Sequence, residues 1–189
     1  MRGICSSGAQ NGFEPRCVLF LSLLLVGVIC LAGCGQKAED PQRRYADAKA
    51  LFDHATKEFH LPSGEATGAQ QARLQAQAIN EYQQLLKKYP EQEYWCAEAL
   101  CSLGNIRVAQ TNLDAALKCW SEVVTKFPRQ EWDVLMALKS SGDGLWDANR
   151  RAEAKPFYQK ILAQFDQTNA PQAVRLIVKG SKTKLEAKD

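Results

Sequence analysis

The sequence predicts an all-α protein built from antiparallel helix pairs stacked in tandem, and three observations predict it. Residues Tyr82–Pro90, Trp120–Pro128 and Tyr158–Asp166 share one pattern, aromatic-x-x-aliphatic-aliphatic-x-x-aromatic-Pro, at a spacing of 38 residues, with Asp replacing proline in the last copy. An alanine stands four residues ahead of each leading aromatic: Ala78, Ala116 and Ala154. Three glycines, Gly104, Gly142 and Gly180, keep the same phase. Positions i, i+3, i+4 and i+7 share one face of an α-helix, and a proline ends it. The alanines and glycines mark places where two helices approach closely. A single pair cannot bury its own stripe, so the copies must stack.

The chain has 189 residues, 46% of them hydrophobic, and a formal charge of +3. That length suits one domain with appendages. The near-balanced charge supplies no field that would argue for nucleic acid. The first element is an address. Residues Cys17–Ala32 carry no charge, and Arg2 and Arg16 precede them. A basic flank, a short apolar run and a small-residue exit describe a secretory signal. A membrane-spanning helix needs about 20 apolar residues, and this run falls short of that. It ends in Leu31-Ala32-Gly33-Cys34, which resembles a bacterial lipobox. The resemblance implies cleavage before Cys34, loss of residues 1–33, and a diacylglycerol on the Cys34 thiol. An uncleaved signal anchor is the alternative. The covalent lipid is the one prosthetic group expected, and two or more acyl chains anchor a protein stably. Gly35 stands where Asp would favour inner-membrane retention in enteric bacteria, so the resemblance favours the outer membrane. Residues 34–44 are polar and read as a tether.

The repeat domain is expected over residues 45–187. Asp40-Pro41 suits a helix cap and first turn, and Tyr45, Ala48, Phe52, Ala55 and Phe59 form one apolar stripe on a helix ending near Phe59. Leu61–Gly68 reads as a loop, followed by a second helix to Lys88. After Pro90 and Pro128 the segments EQEYWC and RQEWDV predict first helices lengthened by one turn. Pro156 falls inside the next second helix, which should start late or kink there. Thr168-Asn169-Ala170-Pro171 opens a closing helix with Leu176, Ile177 and Val178 on its apolar side. Lys179, Lys182, Lys184 and Lys188 read as its solvated face.

From Ala97 to Pro128 the residues resemble the tetratricopeptide repeat in detail. Leu100, Leu103 and Gly104 take the W-x-x-L-G positions, and Ala116, Trp120 and Pro128 complete the A…F…P pattern. Leu100 and Leu138 stand in for the usual tryptophan, Arg107 for a tyrosine and Ser141 for a leucine. The family implies a short right-handed solenoid with a C-terminal capping helix and a concave groove that binds proteins or peptides. Carried over position by position, the groove is lined by Glu98, Cys101, Asn105 and Val108, then by Met136, Lys139, Asp143 and Trp146. Asn105, Lys139 and Trp146 would offer an extended peptide an amide, a cation and an aromatic platform, with Asp143 beside them.

Little in the chain suggests catalysis. His54 and His60 are the only histidines and read as surface residues. Nucleophile elbows, phosphate-cradling glycine loops and zinc-protease helices are missing. Asp143-Gly144 and Asp147 lack the ligand pattern of a calcium loop. Cys5, Cys17 and Cys30 leave with the signal. Cys96 and Cys101 lie about 140° apart around one helix, which suits neither a disulfide nor a zinc site, so with Cys119 they read as small hydrophobic residues. Neither an enzyme nor a metal site is expected. The lipobox, tether and repeats together resemble the repeat-containing assembly and coordinator proteins of the bacterial envelope. That resemblance implies a lipid-anchored scaffold on the periplasmic face, holding another envelope protein or peptide. The alternatives are a cell-wall-associated binding or sensing lipoprotein, and a structural homo-oligomer formed through Tyr94, Trp95 and Trp132.

Overall fold

A computed structural model describes residues 40–187; the leader 1–33, Cys34 and most of the tether lie outside the described residues. Among the described residues all regular structure is helical, and no helix is long and apolar enough to cross a membrane.

Helix α1 (Pro41–His54) starts as its cap predicts: the Asp40 carboxylate accepts the Gln42 N–H at 3.0 Å, and Pro41 occupies the first turn. A proline there loses no intrahelical bond. Residues 41–44 therefore belong to the helix and not to the tether. The helix also runs past Phe59. Ala55–His60 form a π-helical turn and Leu61–Glu65 continue as α2, so the expected loop over Leu61–Gly68 shrinks to Ala66 and Thr67. In the widened turn the Leu61 N–H reaches the Thr56 carbonyl, and Pro62 then enters in the first turn of α2, where its missing donor is harmless. Gly68, at a φ of 59°, makes the corner into α3 (Gly68–Lys88).

Helices α4 (Glu93–Ala109) and α6 (Glu131–Asp147) each have 17 residues and begin in the same repeat phase, with the extra first turn that the sequence predicts. Both end alike. The Asn112 N–H reaches the Arg107 carbonyl while Thr111 reaches Val108, and Arg150 reaches Leu145 while Asn149 reaches Trp146. These bonds define a Schellman stop, with Thr111 and Asn149 left-handed at φ of 58° and 59°. The reversals lead into α5 (Leu113–Lys126) and α7 (Arg151–Phe165), and α8 (Gln172–Glu186) closes the array. Helix α7 starts in register with α5 and runs through Pro156, so the expected late start does not occur. Pro156 and Ala152 are both exposed, and the carbonyl deprived of its partner lies on the solvated side.

Packing is sequential from α3 to α8, each helix lying on the next, with α4 also touching α1 and α6. Ala78, Ala116 and Ala154 are fully buried, as close approach requires. A Cβ on Gly104 would lie 2.2 Å from Trp120 Nε1, and one on Gly142 would lie 2.7 Å from Tyr158 Cε1. The glycines thus make room for the leading aromatic of each second helix. Gly180 departs from this pattern: nothing lies within 4 Å of its Cβ position. Helix α8 has no following partner among the described residues, so no aromatic needs that space. Gly144, in contrast, is a second close approach, its Cβ position 2.8 Å from Leu113 Cδ1. Trp95 is buried, its ring 5.4 to 5.6 Å from those of Phe52 and Tyr45, which removes it from any oligomer surface. Truncating a core aromatic of this kind costs about 3–5 kcal/mol.

Candidate functional site

The candidate groove residues gather at one place. On α6, Lys139 and Asp143 stand one turn apart, and the Lys139 Nζ donates to Asp143 Oδ2 at 2.7 Å. Tyr158 from α7 donates its hydroxyl to Asp143 Oδ1 at 2.9 Å, and Lys184 from α8 donates to the same oxygen at 3.0 Å. The repeat explains the tyrosine. Gly142 leaves space for the Tyr158 ring, which is 1% exposed, and its hydroxyl then reaches the next residue of α6. Trp146 lies one turn further on, its ring centroid 6.2 Å from that of Tyr158. The Arg151 guanidinium and the Lys184 ammonium stand 5.0 and 5.2 Å from the Trp146 centroid. Such contacts contribute about 0.5–2 kcal/mol each according to exposure.

Two cations therefore share one carboxylate, with a third cation on the adjoining ring. Burial works to raise the Asp143 carboxyl, but hydrogen bonds from Lys139, Lys184 and Tyr158 outweigh it and hold the group below the usual range. Burial and the bond to Asp143 push the Tyr158 phenol upward, so it stays a donor. Beside the cluster opens a pocket of about 290 Å³, lined by Lys139, Asp143, Tyr158 and Lys184 together with the apolar Leu176 and Ile177. It combines apolar and cationic groups. That chemistry suits a side chain ending in a carboxylate or amide.

Three of the four candidate groove residues thus meet; Asn105 does not join them, standing exposed on α4. Lys139 and Asp143 are mutually paired rather than free, and Trp146 is half-buried under its cations rather than an open platform. Of the wider groove set, Glu98 accepts the Tyr94 hydroxyl at 3.4 Å, and the Cys101 thiol donates to the Asp133 carbonyl at 3.9 Å. Val108 is exposed and Met136 half-buried. Asp133, 4% exposed and facing Glu98, has its carboxyl pushed up to about 6 by burial and by that neighbouring charge.

The sequence predicts Lys184 on the solvated face of the last helix. Its side chain is instead only 29% exposed and ties α8 to α6. The signal was present, since the groove phase Val108, Trp146 reaches Lys184 after another 38 residues. Asp143-Gly144 and Asp147 lie in helix α6, and among the described residues no cluster of three His, Cys, Asp or Glu forms a metal site. His54 is exposed and accepts or donates at 2.8 Å with Glu81, whose hydrogen bond raises its pKa. His60 is half-buried rather than a surface residue. Its Nδ1 lies 3.0 Å from the Tyr82 hydroxyl, and burial lowers its pKa. Cys96, Cys101 and Cys119 are free thiols. No protein-family model matches the chain, and no curated protein matches its sequence.

Proposed function

We propose that the chain is a lipid-anchored scaffold of the tetratricopeptide type, facing the periplasm and holding an envelope protein or peptide in its concave groove. Cleavage before Cys34 leaves a lipidated terminus, a short tether through Glu39, and the helical array. The array binds; it does not transform. The observation that carries the binding half is the pocket beside Lys139, Asp143 and Lys184, where three successive helices present polar groups next to apolar ones. The tandem phase of the helices supports the repeat assignment, with a buried alanine in each pair and Gly104 and Gly142 under the leading aromatics of the last two. A partner segment would place an acidic or amide side chain between the two lysines and lay an apolar neighbour on Leu176 and Ile177.

Two measurements test the reading separately. Mass spectrometry of the membrane fraction should find lipid on the mature terminus. A Cys34→Ala variant that fractionates with membranes as fully as wild type, with no lipid on the wild-type protein, would refute the anchor. Replacing Lys139 with a photo-crosslinking residue in the cell should trap one envelope protein that Asn105 and Val108 substitutions also capture. Capture of cell-wall glycan instead, with pelleting on sacculi, would support the rival cell-wall reading.

A further inference from the structure

The repeat phase shows what the last helix lacks. Helices α4 and α6 open with Glu93-Tyr94-Trp95 and Glu131-Trp132-Asp133, whereas the residues in that phase ahead of α8 are Asn169-Ala170-Pro171, and α8 begins only at Gln172. One helical turn and its aromatic side chain are missing. A groove of about 600 Å³ lies at that place, between Ala170, Pro171 and Val174 on one side and Pro128 and Leu135 on the other. Trp132 stands at its edge, 50% exposed.

We propose that this groove is a homodimer interface, in which Trp132 of a second copy fills the space that Ala170 leaves. The repeats themselves indicate the occupant: Tyr94 and Trp132 show that the phase of Ala170 elsewhere carries a large aromatic. Groove and exposed indole share one face, so a two-fold axis places each Trp132 in the groove of the other copy. That is the geometry of an isologous interface. Charge agrees. Glu131 is the one charged residue lining the groove, and the neighbouring Arg129, 81% exposed, holds Glu93 of its own chain only through a surface bridge at 2.9 Å, weak enough for a two-fold to set Arg129 of one copy against Glu131 of the other. Neither Lys139, Asp143 nor Lys184 lines this groove, so the dimer leaves the concave pocket open.

Sedimentation equilibrium of the full chain in detergent, over micromolar concentrations, tests the proposal. Wild type should fit two chains per particle. Trp132→Ala removes the donor, and Ala170→Trp fills the groove within its own chain. Each should weaken dimerisation by about 30-fold or more, the loss expected for a hot-spot aromatic. Thermal melts followed by circular dichroism establish that both variants remain folded. Lys139→Ala should leave the mass unchanged. A wild-type monomer at every concentration overturns the proposal, and so does a dimer that Trp132→Ala leaves intact.

Discussion

Replacing Gly104 with alanine adds one methyl group where the structure has no room for it. The new Cβ would stand 2.2, 2.6 and 2.7 Å from three atoms of the Trp120 indole. Non-bonded carbons prefer about 3.5–4.0 Å, so the ring or the helix must shift by roughly 1 Å or more. Trp120 is 2% exposed and belongs to the shared core, so the shift spreads into α5 and α6. Overpacking of this kind costs about 1–3 kcal/mol, and contact this short belongs at the upper end. Alanine recovers about 1 kcal/mol of helix propensity over glycine. The net loss is about 2 kcal/mol, or a fall of ~4–8 °C in melting temperature. Gly180 provides the opposite sign. Its Cβ position is open, so Gly180→Ala should stabilise by roughly 0.5–1 kcal/mol through propensity alone. Urea unfolding followed by circular dichroism measures both, with unchanged m-values showing that the unfolded states are alike. In a Trp120→Leu background Gly104→Ala should lose its penalty and keep only the propensity gain of roughly 0.5–1 kcal/mol, because the clash is then removed. Gly104→Ala as stable as wild type, or Gly180→Ala equally destabilised, would refute the close-approach reasoning.

Asp133→Asn should stabilise the protein at pH 7 by up to about 3 kcal/mol and do nothing near pH 4. The sign follows from a folded pKa of about 6 above an ordinary value of 3.8: the native state holds the proton longer, and its stability falls as pH rises through that window. Denaturant titrations at several pH values measure it. Asp143 behaves oppositely, because its carboxyl is held below 3.8 by Lys139, Lys184 and Tyr158. Its contribution is present above that value and is lost as pH falls through the lowered one. Asp143→Asn should cost about 1–3 kcal/mol at neutral pH, read by the same melts. Thr111 is a β-branched residue at a left-handed φ of 58°, and Thr111→Asn should stabilise by about 1 kcal/mol, since Asn149 already serves the matching turn. The thiols of Cys96 and Cys101, pushed up by burial to about 11 and 12, should react with a disulfide reagent at pH 8 only after unfolding.

The repeat was legible because close helix approach demands residue types at fixed spacing. Ala78, Ala116 and Ala154 are buried as that spacing requires, and Gly104 and Gly142 sit beneath Trp120 and Tyr158. The segment after Phe59 was not legible. Pro62 and Gly64 are strong local breakers, but a single π-turn moved the proline into a first turn, and a non-local contact between His60 and Tyr82 holds the turn in place. Pro156 likewise does not delay the start of its helix, because propensity does not report which side of a helix faces solvent. Repeat position alone points to Lys139, Asp143 and Trp146. Their partners Tyr158 and Lys184 lie 15 and 41 residues from Asp143, distances that only packing brings together. Gly180 kept its phase without its purpose, since a periodic sequence continues past the helix that would have used it.

Asp143 holds its own helix through Lys139, the next through Tyr158 and the closing one through Lys184. The site is therefore also a fastening. A guest that draws Lys184 away from Asp143 loosens the seat of α8, and a guest that bridges both lysines tightens it. If the pocket is filled as proposed, occupancy and the docking of the closing helix are linked reciprocally, each changing the other by the same free energy.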